Sequence, residues 1–194
     1  MNRIAVFGGS FNPIHVGHIR IARCAVSEGM ADEVWLMPSP QNPLKPADGL
    51  LDERLRLKMV REALEDEPSI KACDFEFSLP RPTYTYLTLR AMSREFSDKV
   101  FSLMIGSDNW AIFHRWRNYE EILNNHEIII YNRPGTELSS EDLPPNVSIL
   151  KGELTDVSST SIRRKVLAGE DISADVPSSI AGMVRKYYSE MNNV

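Results

Sequence analysis

Residues 8–18 read Gly8-Gly9-Ser10-Phe11-Asn12-Pro13-Ile14-His15-Val16-Gly17-His18. They join the apolar residues 4–7, a predicted buried strand, to residues 19–26, a predicted helix. Glycines after a strand let the backbone approach an anion, and the N-terminus of a helix presents N–H groups and the positive end of its dipole. His15 and His18 lie on one face of the first helical turn, so both can donate hydrogen bonds. The segment therefore predicts a phosphate-binding site.

A metal site is the alternative interpretation of a His-x-x-His pair. Zinc normally needs three or four protein ligands. The remaining histidines are His114 and His126, and the two cysteines stand far apart at Cys24 and Cys73. We therefore expect no metal ion to be held by side chains of this chain, and we favour the phosphate interpretation.

The whole eleven-residue segment is more specific than either of its parts. It resembles the GxFxPxHxGH signature of the nucleotidyltransferase superfamily, which shares its HxGH element with class I aminoacyl-tRNA synthetases. The resemblance implies that both histidines act in catalysis, at the α- and β-phosphate oxygens of ATP. The ATP-binding residues that it implies in this segment are Gly8, Gly9, Ser10, Phe11, His15 and His18.

Length and composition indicate a globular protein with one core. A chain of 194 residues, 42% hydrophobic and 25% charged, is too short for two ordinary domains, so we expect a single domain over residues 1–194. The longest apolar runs have strand length, and the chain enters its first strand without a signal-peptide pattern. Two distant cysteines favour reduced thiols and a cytoplasmic location. The net charge of −5 argues against a nucleic-acid partner, and we expect no membrane association.

Strand and helix patterns alternate along the chain, which predicts an α/β, Rossmann-like fold with a mostly parallel sheet and helices on both faces. In such sheets ligands bind at the carboxyl ends of the strands, near the switch point, where residues 8–18 must lie. The predicted strands are residues 4–7, 33–38, 70–73, 100–106, 127–131 and 147–150, and the predicted helices are residues 19–26, 51–64, 83–96 (with Thr83 as its N-cap), 119–125, 159–168 and 177–191.

A second motif, Asp156-Val157-Ser158-Ser159-Thr160-Ser161-Ile162-Arg163-Arg164, lies at the start of the C-terminal helical part, residues 159–191. Its hydroxyls alone indicate an ordinary helix N-cap. Arg163, however, falls one turn after Ser159 and Thr160, so a guanidinium, hydroxyls and helix N–H groups can converge on one anion. The motif also resembles the ISSTxIR motif of the same superfamily. That resemblance implies that Ser159, Thr160 and Arg163 bind the outer phosphates of ATP and that Arg163 is catalytic.

Four further segments narrow the resemblance to one family. Residues 105–109 with Trp116 resemble a GxD…W element, residues 80–89 a Pro-Ser-Tyr-Thr segment, residues 38–46 a PPHK-like loop, and residues 132–135 an RPG turn. All four are similar to elements of the bacterial nicotinate mononucleotide adenylyltransferases. The resemblance covers about residues 3–191 and implies ATP and nicotinate mononucleotide as partners, with Mg²⁺ arriving bound to ATP.

The family resemblance assigns further site residues. Gly106 and Asp108 would contact ATP, Asp108 at the ribose hydroxyls, although a helix cap remains the alternative for this carboxylate. Trp116 would stack on the pyridine ring, whereas a core role or a site role stays open for Trp110. Lys45 would be catalytic and grip the incoming phosphate together with Ser10. The substrate-binding residues so implied are Ser10, Lys45, Thr85, Trp116, Arg117 and Arg133.

Two departures from the family pattern and several alternative functions remain. Asn12 stands where an Asp is common, and Leu44 stands in place of the histidine of the lysine loop. A phosphopantetheine adenylyltransferase or a cytidylyltransferase would share residues 8–18 but lack the GxD…W and TYT elements. A nicotinamide mononucleotide adenylyltransferase stays an alternative, because its substrate differs only in an amide against a carboxylate. A non-catalytic nucleotide sensor could lose His18 or Arg163, and both are present here. The sequence leaves open whether the chain forms a homo-oligomer.

Overall fold

The computed structural model describes residues 1–40, 49–136, 138–139, 143–152 and 156–191. Its sheet contains six strands, all parallel, in the order β3-β2-β1-β4-β5-β6. The predicted α/β, Rossmann-like class with a parallel sheet is confirmed. The strands are β1 (Asn2–Gly9), β2 (Glu33–Pro38), β3 (Ile70–Ala72), β4 (Lys99–Gly106), β5 (Ile128–Tyr131) and β6 (Val147–Leu150).

Seven α-helices lie in the described part of the chain, together with two short 3₁₀ turns at Phe75–Ser78 and Phe113–Arg115. None of these helices is long and apolar enough to span a membrane. The α-helices are α1 (Val16–Ser27), α2 (Glu53–Ala63), α3 (Thr85–Glu95), α4 (Ser107–Ala111), α5 (Tyr119–Asn125), α6 (Ser159–Leu167) and α7 (Ser178–Glu190).

Each face of the sheet is covered by its own apolar layer. Successive strand residues point to opposite faces, so Ala5 and Phe7 join one layer while Ile4 and Val6 join the other. The first layer contains buried residues of α1, α2, α6 and α7, and the second contains those of α3 and α5. Burial on both faces explains why the central strands are almost continuously apolar.

The strand order places a crevice beside β1. From β1 the chain passes outward to β2 and β3, and it then returns to β4 on the other side of β1 and continues outward to β6. The connections that leave the carboxyl ends of β1 and β4 therefore diverge, and they open a space above Gly9 and Gly106.

Two local predictions differ from the structure, and one short helix was not predicted. Gly8 and Gly9 belong to β1 itself, paired with β2, whereas we expected a turn there. Thr83 is not the cap of α3, because the helix begins at Thr85 and Tyr84 occupies the N-cap position. Helix α4 was not predicted, since five residues are too few to show a helical repeat.

Arg56 connects the turn between β1 and α1 to the loop after β2 and to the segment before α2. Its side chain is fully buried in α2 and its guanidinium donates to the carbonyls of Leu51 (2.8 Å), Ser10 (2.5 Å) and Ser39 (2.8 Å). The Nη2 atom that donates to Ser39 also lies 3.2 Å from the carbonyl oxygen of Pro40. One side chain thus joins the loops that follow β1 and β2 and the start of α2.

Replacement of Arg56 by Met should lower the free energy of unfolding by about 3 kcal/mol or more, because several buried carbonyls lose their donors. The matched control is Arg54→Met, since Arg54 is exposed on the same helix and should shift stability by less than about 0.5 kcal/mol. Urea denaturation of both variants and the wild-type chain measures the difference. Equal stability of the two variants would contradict this role.

Candidate active site

A cleft of about 1030 Å³ opens at the carboxyl ends of β1 and β4. It collects residues from both ends of the chain, as the two anion motifs require. Lys45 and Leu44 lie outside the described residues. The predicted site residues that line the cleft are Gly8, Gly9, Ser10, Phe11, His15, His18, Thr85, Gly106, Trp116, Arg117, Arg133, Ser159, Thr160 and Arg163.

The two histidines are stacked at the start of α1. His15 is the N-cap residue and His18 lies in the first turn, with the ring centroids 3.7 Å apart and the planes inclined by 30°. The backbone N–H of His15 donates to Nδ1 of His18 at 3.3 Å. Because that Nδ1 accepts, the proton of the neutral His18 ring belongs on Nε2, which is then a donor.

Burial favours the neutral form of both histidines. The rings of Phe7 and Phe11 meet His18 edge to face, at centroid distances of 6.0 and 4.9 Å. Burial lowers the pKa of His15 to about 4, and the charge of Arg133 adds to that effect, while Asp175 opposes it. Burial, with the neighbouring His15, also holds the pKa of His18 well below its usual value. The pair therefore offers hydrogen-bond donors without positive charge at neutral pH.

The turn between β1 and α1 depends on a glycine and on an unusual backbone conformation. A Cβ at Gly9 would lie 3.1 Å from the Phe11 ring, so a side chain there would displace the ring that packs on His18. Phe11 itself has φ of +43°, a left-handed conformation that is unfavourable for a bulky side chain. Such a conformation persists only where the surroundings hold it in place.

Helix α6 brings the second motif against this turn. The hydroxyl of Ser159 donates to the Pro13 carbonyl at 2.8 Å, and Nη1 of Arg163 donates to the Asn12 carbonyl at 2.7 Å. The second guanidinium nitrogen, Nη2, lies 3.4 Å from Oγ1 of Thr160. Ser158 serves as the N-cap by accepting from the backbone of Ser161. The N-cap is thus Ser158, while Ser159, Thr160 and Arg163 line the cleft.

At the end of β4, Gly106 leaves room for an ion pair. A Cβ at this position would lie 2.4 Å from Oδ1 of Asp108 and 2.9 Å from Nε of Arg133. Those two groups form an ion pair at 3.3 Å, and Arg133 also donates to the Tyr131 hydroxyl at 3.1 Å. Asp108 is not the N-cap of α4, since Gly106 occupies that position. Asp108 does not line the cleft, but Arg133, its partner in the ion pair, does.

The other end of the cleft is aromatic. Trp116 packs against Phe113 at 5.5 Å, and its Nε1 is buried without a hydrogen-bond partner among the described residues. The guanidinium of Arg117 lies 4.9 Å from the Tyr84 ring centroid. Trp110 stacks on Phe113 at 5.2 Å and does not line the cleft, so the structure gives it a core role. Nδ1 of His15 is a second buried atom that lacks a partner in the described part of the chain.

Comparisons with known proteins identify the family of this chain. The model of the cytidylyltransferase-like family matches residues 6–165. A "Probable nicotinate-nucleotide adenylyltransferase" of Bacteroides fragilis is 42% identical over 170 residues, which cover 88% of this chain and 85% of that protein. A protein of the same name from Bacteroides thetaiotaomicron is 39% identical over 185 residues, covering 95% and 92%. This chain belongs to the nicotinate-nucleotide adenylyltransferase family. The resemblance inferred from the sequence motifs is confirmed.

A solved structure supports the fold assignment of this family member. The Plasmodium falciparum nicotinic acid mononucleotide adenylyltransferase, complexed with NaAD, superposes with a TM-score of 0.79. The alignment covers 99% of this chain and 97% of that chain at 19% sequence identity. At that identity the comparison shows a shared fold.

The sequence analysis missed two residues that shape the cleft of this family member: Glu76, which lines it, and Arg56, which holds its loops. Arg56 could have been found, because it falls on the apolar face of α2, three and four residues before the buried Met59 and Val60. Glu76 is buried at the cleft wall, where Thr88 donates to it at 2.9 Å and burial raises the pKa of the carboxyl. No short-range pattern marks Glu76, since its partner lies on another element.

The neutral state of the histidines makes stability depend on pH. The unfolded chain binds a proton at His15 near pH 6.5, whereas the folded chain resists protonation down to about pH 4. The free energy of unfolding is therefore highest, as far as His15 determines it, above pH 6.5. It decreases by up to about 3 kcal/mol as the pH falls towards 4. Urea denaturation between pH 7 and pH 4 measures this loss.

The matched comparison uses His15→Gln and His114→Gln. The first variant should show a shallower fall of unfolding free energy between about pH 6.5 and 4, because the group that titrates is gone. His114 is exposed, so its replacement should leave the wild-type slope. Identical slopes for His15→Gln and the wild-type chain would contradict the assignment.

Proposed function

We propose that this chain transfers the adenylyl group of ATP to nicotinate mononucleotide, giving deamido-NAD and pyrophosphate in NAD biosynthesis. One observation carries the proposal. Arg163 and the Asn12 carbonyl, 151 residues apart in sequence, meet at 2.7 Å, and so the two anion motifs form one cleft. The aromatic end of the same cleft, around Trp116, supplies a place for a base. The names of the relatives support the same activity.

In this reaction the phosphate of the mononucleotide attacks the α-phosphorus of ATP in line. A new P–O bond forms, the bond from the α-phosphorus to the bridging oxygen breaks, and pyrophosphate leaves with that electron pair. The attacking phosphate is already ionised, so the chain needs no nucleophile or general base. Catalysis then rests on positioning and on stabilising negative charge.

The stacked histidines would serve the α- and β-phosphates. Nε2–H of His18 is free to donate because its Nδ1 is already an acceptor. Negative charge from a bound triphosphate would raise the low pKa of His15 and of His18, so binding favours proton uptake by this pair. The donors would therefore gain strength as negative charge develops on the transferred group.

The cationic residues of the cleft would hold the remaining phosphates. Arg163 carries further guanidinium N–H groups beyond the one held by Asn12, and Ser159 and Thr160 lie beside it. These three residues would bind the β- and γ-phosphates. Lys45 and Ser10 would grip the phosphate of the mononucleotide, with Lys45 assigned from its sequence position alone.

The pyridine end would be recognised by stacking and by donors. Trp116 lines the cleft, and so does Thr85, the first residue of α3. The first N–H groups of a helix have no partner within the helix, so the start of α3 can donate to a carboxylate. The Thr85 hydroxyl adds a further donor, while Arg117 and Arg133 contribute positive charge at the cleft wall.

Magnesium would enter with ATP. Among the described residues no three histidine, cysteine or carboxylate side chains are grouped as metal ligands. The phosphate oxygens would therefore supply most of the coordination, as is usual for Mg²⁺. When bound, the ion neutralises part of the triphosphate charge.

A pyrophosphate-release assay with nicotinate and nicotinamide mononucleotides tests the proposal. The two substrates differ in a carboxylate against an amide, and an amide NH₂ would meet donors instead of acceptors. Mispairing of two buried contacts predicts about a hundredfold or greater preference for the nicotinate substrate in kcat/KM. Comparable kcat/KM values for the two mononucleotides would contradict the nicotinate assignment, whereas the adenylyl-transfer reaction would still hold. Absence of pyrophosphate release with both would contradict the reaction itself.

Arg163→Ala should weaken binding of ATP much more than binding of AMP. We expect a loss of about tenfold or more for ATP, since a charged hydrogen-bond donor to the outer phosphates is removed. Arg164→Ala is the matched control, because Arg164 is the exposed next residue of α6 and does not line the cleft. Calorimetry with both nucleotides measures the effect. Equal losses for ATP and AMP would show that Arg163 does not contact the outer phosphates.

A further inference from the structure

The side chain of Asn12 is a buried junction of three parts of the chain. Its Oδ1 accepts from the Tyr188 hydroxyl at 2.7 Å and from the backbone of Leu51 at 3.1 Å. Its Nδ2 donates to the Gly49 carbonyl at 2.7 Å. Two donors face one atom and a carbonyl faces the other, so the orientation of the amide is determined.

The main chain of the same residue holds the anion-binding arginine. The Asn12 carbonyl accepts from Nη1 of Arg163, and the preceding residue, Phe11, has a left-handed φ. A displaced Asn12 would therefore move the anchor of Arg163 and release the turn that carries His15. The side-chain contacts of Asn12 thus bear directly on the phosphate end of the cleft.

Tyr188 reaches this junction from α7, the last helix. Ile180, Val184 and Tyr188 recur every four residues on the buried face of that helix, so the Tyr188 ring is an ordinary part of the apolar layer. The hydroxyl is different, because a phenylalanine would fill the same apolar space without it. Burial raises the pKa of Tyr188, and its hydroxyl stays a donor.

We propose that Tyr188 is a positioning residue for triphosphate binding: its hydroxyl holds Asn12, and Asn12 holds Arg163. No residue of helix α7 lines the cleft, but the Tyr188 hydroxyl contacts Asn12, which does. This hydrogen bond is therefore the direct polar link between the C-terminal part of α7 and the turn that carries Asn12. The inference rests on the proposed function, since it takes ATP as the ligand.

The arrangement also explains why this chain carries an amide at position 12. A carboxylate could accept from Tyr188 and from Leu51, but it could not donate to the Gly49 carbonyl. It would instead place a negative oxygen 2.7 Å from that carbonyl oxygen. Asn12 is the side chain that satisfies all three neighbours at once.

The experiment compares Tyr188→Phe with Tyr187→Phe. Tyr187 lies on the same helix, and its hydroxyl has no hydrogen-bond partner among the described residues. Titration calorimetry measures the Kd of an ATP analogue with a methylene group between the α- and β-phosphates and, separately, that of nicotinate mononucleotide. Loss of one buried hydrogen bond at the anchor predicts about a tenfold weaker Kd for the analogue in Tyr188→Phe.

The selectivity of the effect distinguishes positioning from stability. In Tyr188→Phe the Kd of the mononucleotide should change by less than about twofold, and Tyr187→Phe should match the wild-type chain for both ligands. Asn12→Ala and Asn12→Ala/Tyr188→Phe should bind the analogue equally, within about twofold, because Tyr188 acts through Asn12. That equality would not follow from a general loss of stability.

Several results would overturn the inference. Equal weakening of both ligands, or a lowered Tm with unchanged binding of the analogue, would assign the hydroxyl to the fold alone. An unfolded Tyr188→Phe at the assay temperature would give the same conclusion. If the wild-type chain does not bind the analogue, the proposed function fails together with this inference, whereas normal wild-type binding with an unaffected variant refutes the inference only.

Discussion

The buried guanidinium of Arg56 is the contact on which the cleft depends. Parallel strands that diverge at a switch point leave a crevice, but the loops that line it have no ladder hydrogen bonds of their own. Arg56 supplies donors to carbonyls of the loops after β1 and β2 and of the segment before α2. A buried cation costs desolvation, which carbonyl oxygens offset here in place of a carboxylate. The position of the residues 8–18 loop, and with it both histidines, follows from that arrangement.

A division between neutral donors and cations runs through the site. The histidines lie where aromatic rings exclude water, and burial keeps their pKa values low. The guanidiniums of Arg163 and Arg133 stand at the more open edges, where solvent reduces the cost of their charge. This arrangement avoids four neighbouring cations at His15, His18, Arg133 and Arg163. A polyanion would then draw protons onto the histidines only when it is bound.

The sequence was sufficient for the fold class, and all of the predicted site residues except Asp108 and Lys45, the latter outside the described residues, line the cleft. Apolar strand segments and helical repeats are local signals, so all six strands were predicted within a few residues. The two motif segments are also local signals. They predicted Gly8, His18 and Arg163 as site residues, and all three line the cleft. The predicted N-cap of α3, Thr83, was wrong. Tyr84 occupies that position without a side-chain hydrogen bond, and tyrosine is not a residue that N-cap preferences indicate.

Residues that connect distant segments could not be predicted in the same way. Tyr188 and Asn12 are 176 residues apart, and each has a sufficient local explanation as a core aromatic and a turn amide. Only the packing of α7 against α2 and α6 brings the hydroxyl to the turn. The site is thus completed by a part of the chain that carries none of its chemistry. The apolar layer that contains α2, α6 and α7 therefore does more than stabilise the sheet, because it also places Tyr188 of α7 against the turn that follows β1.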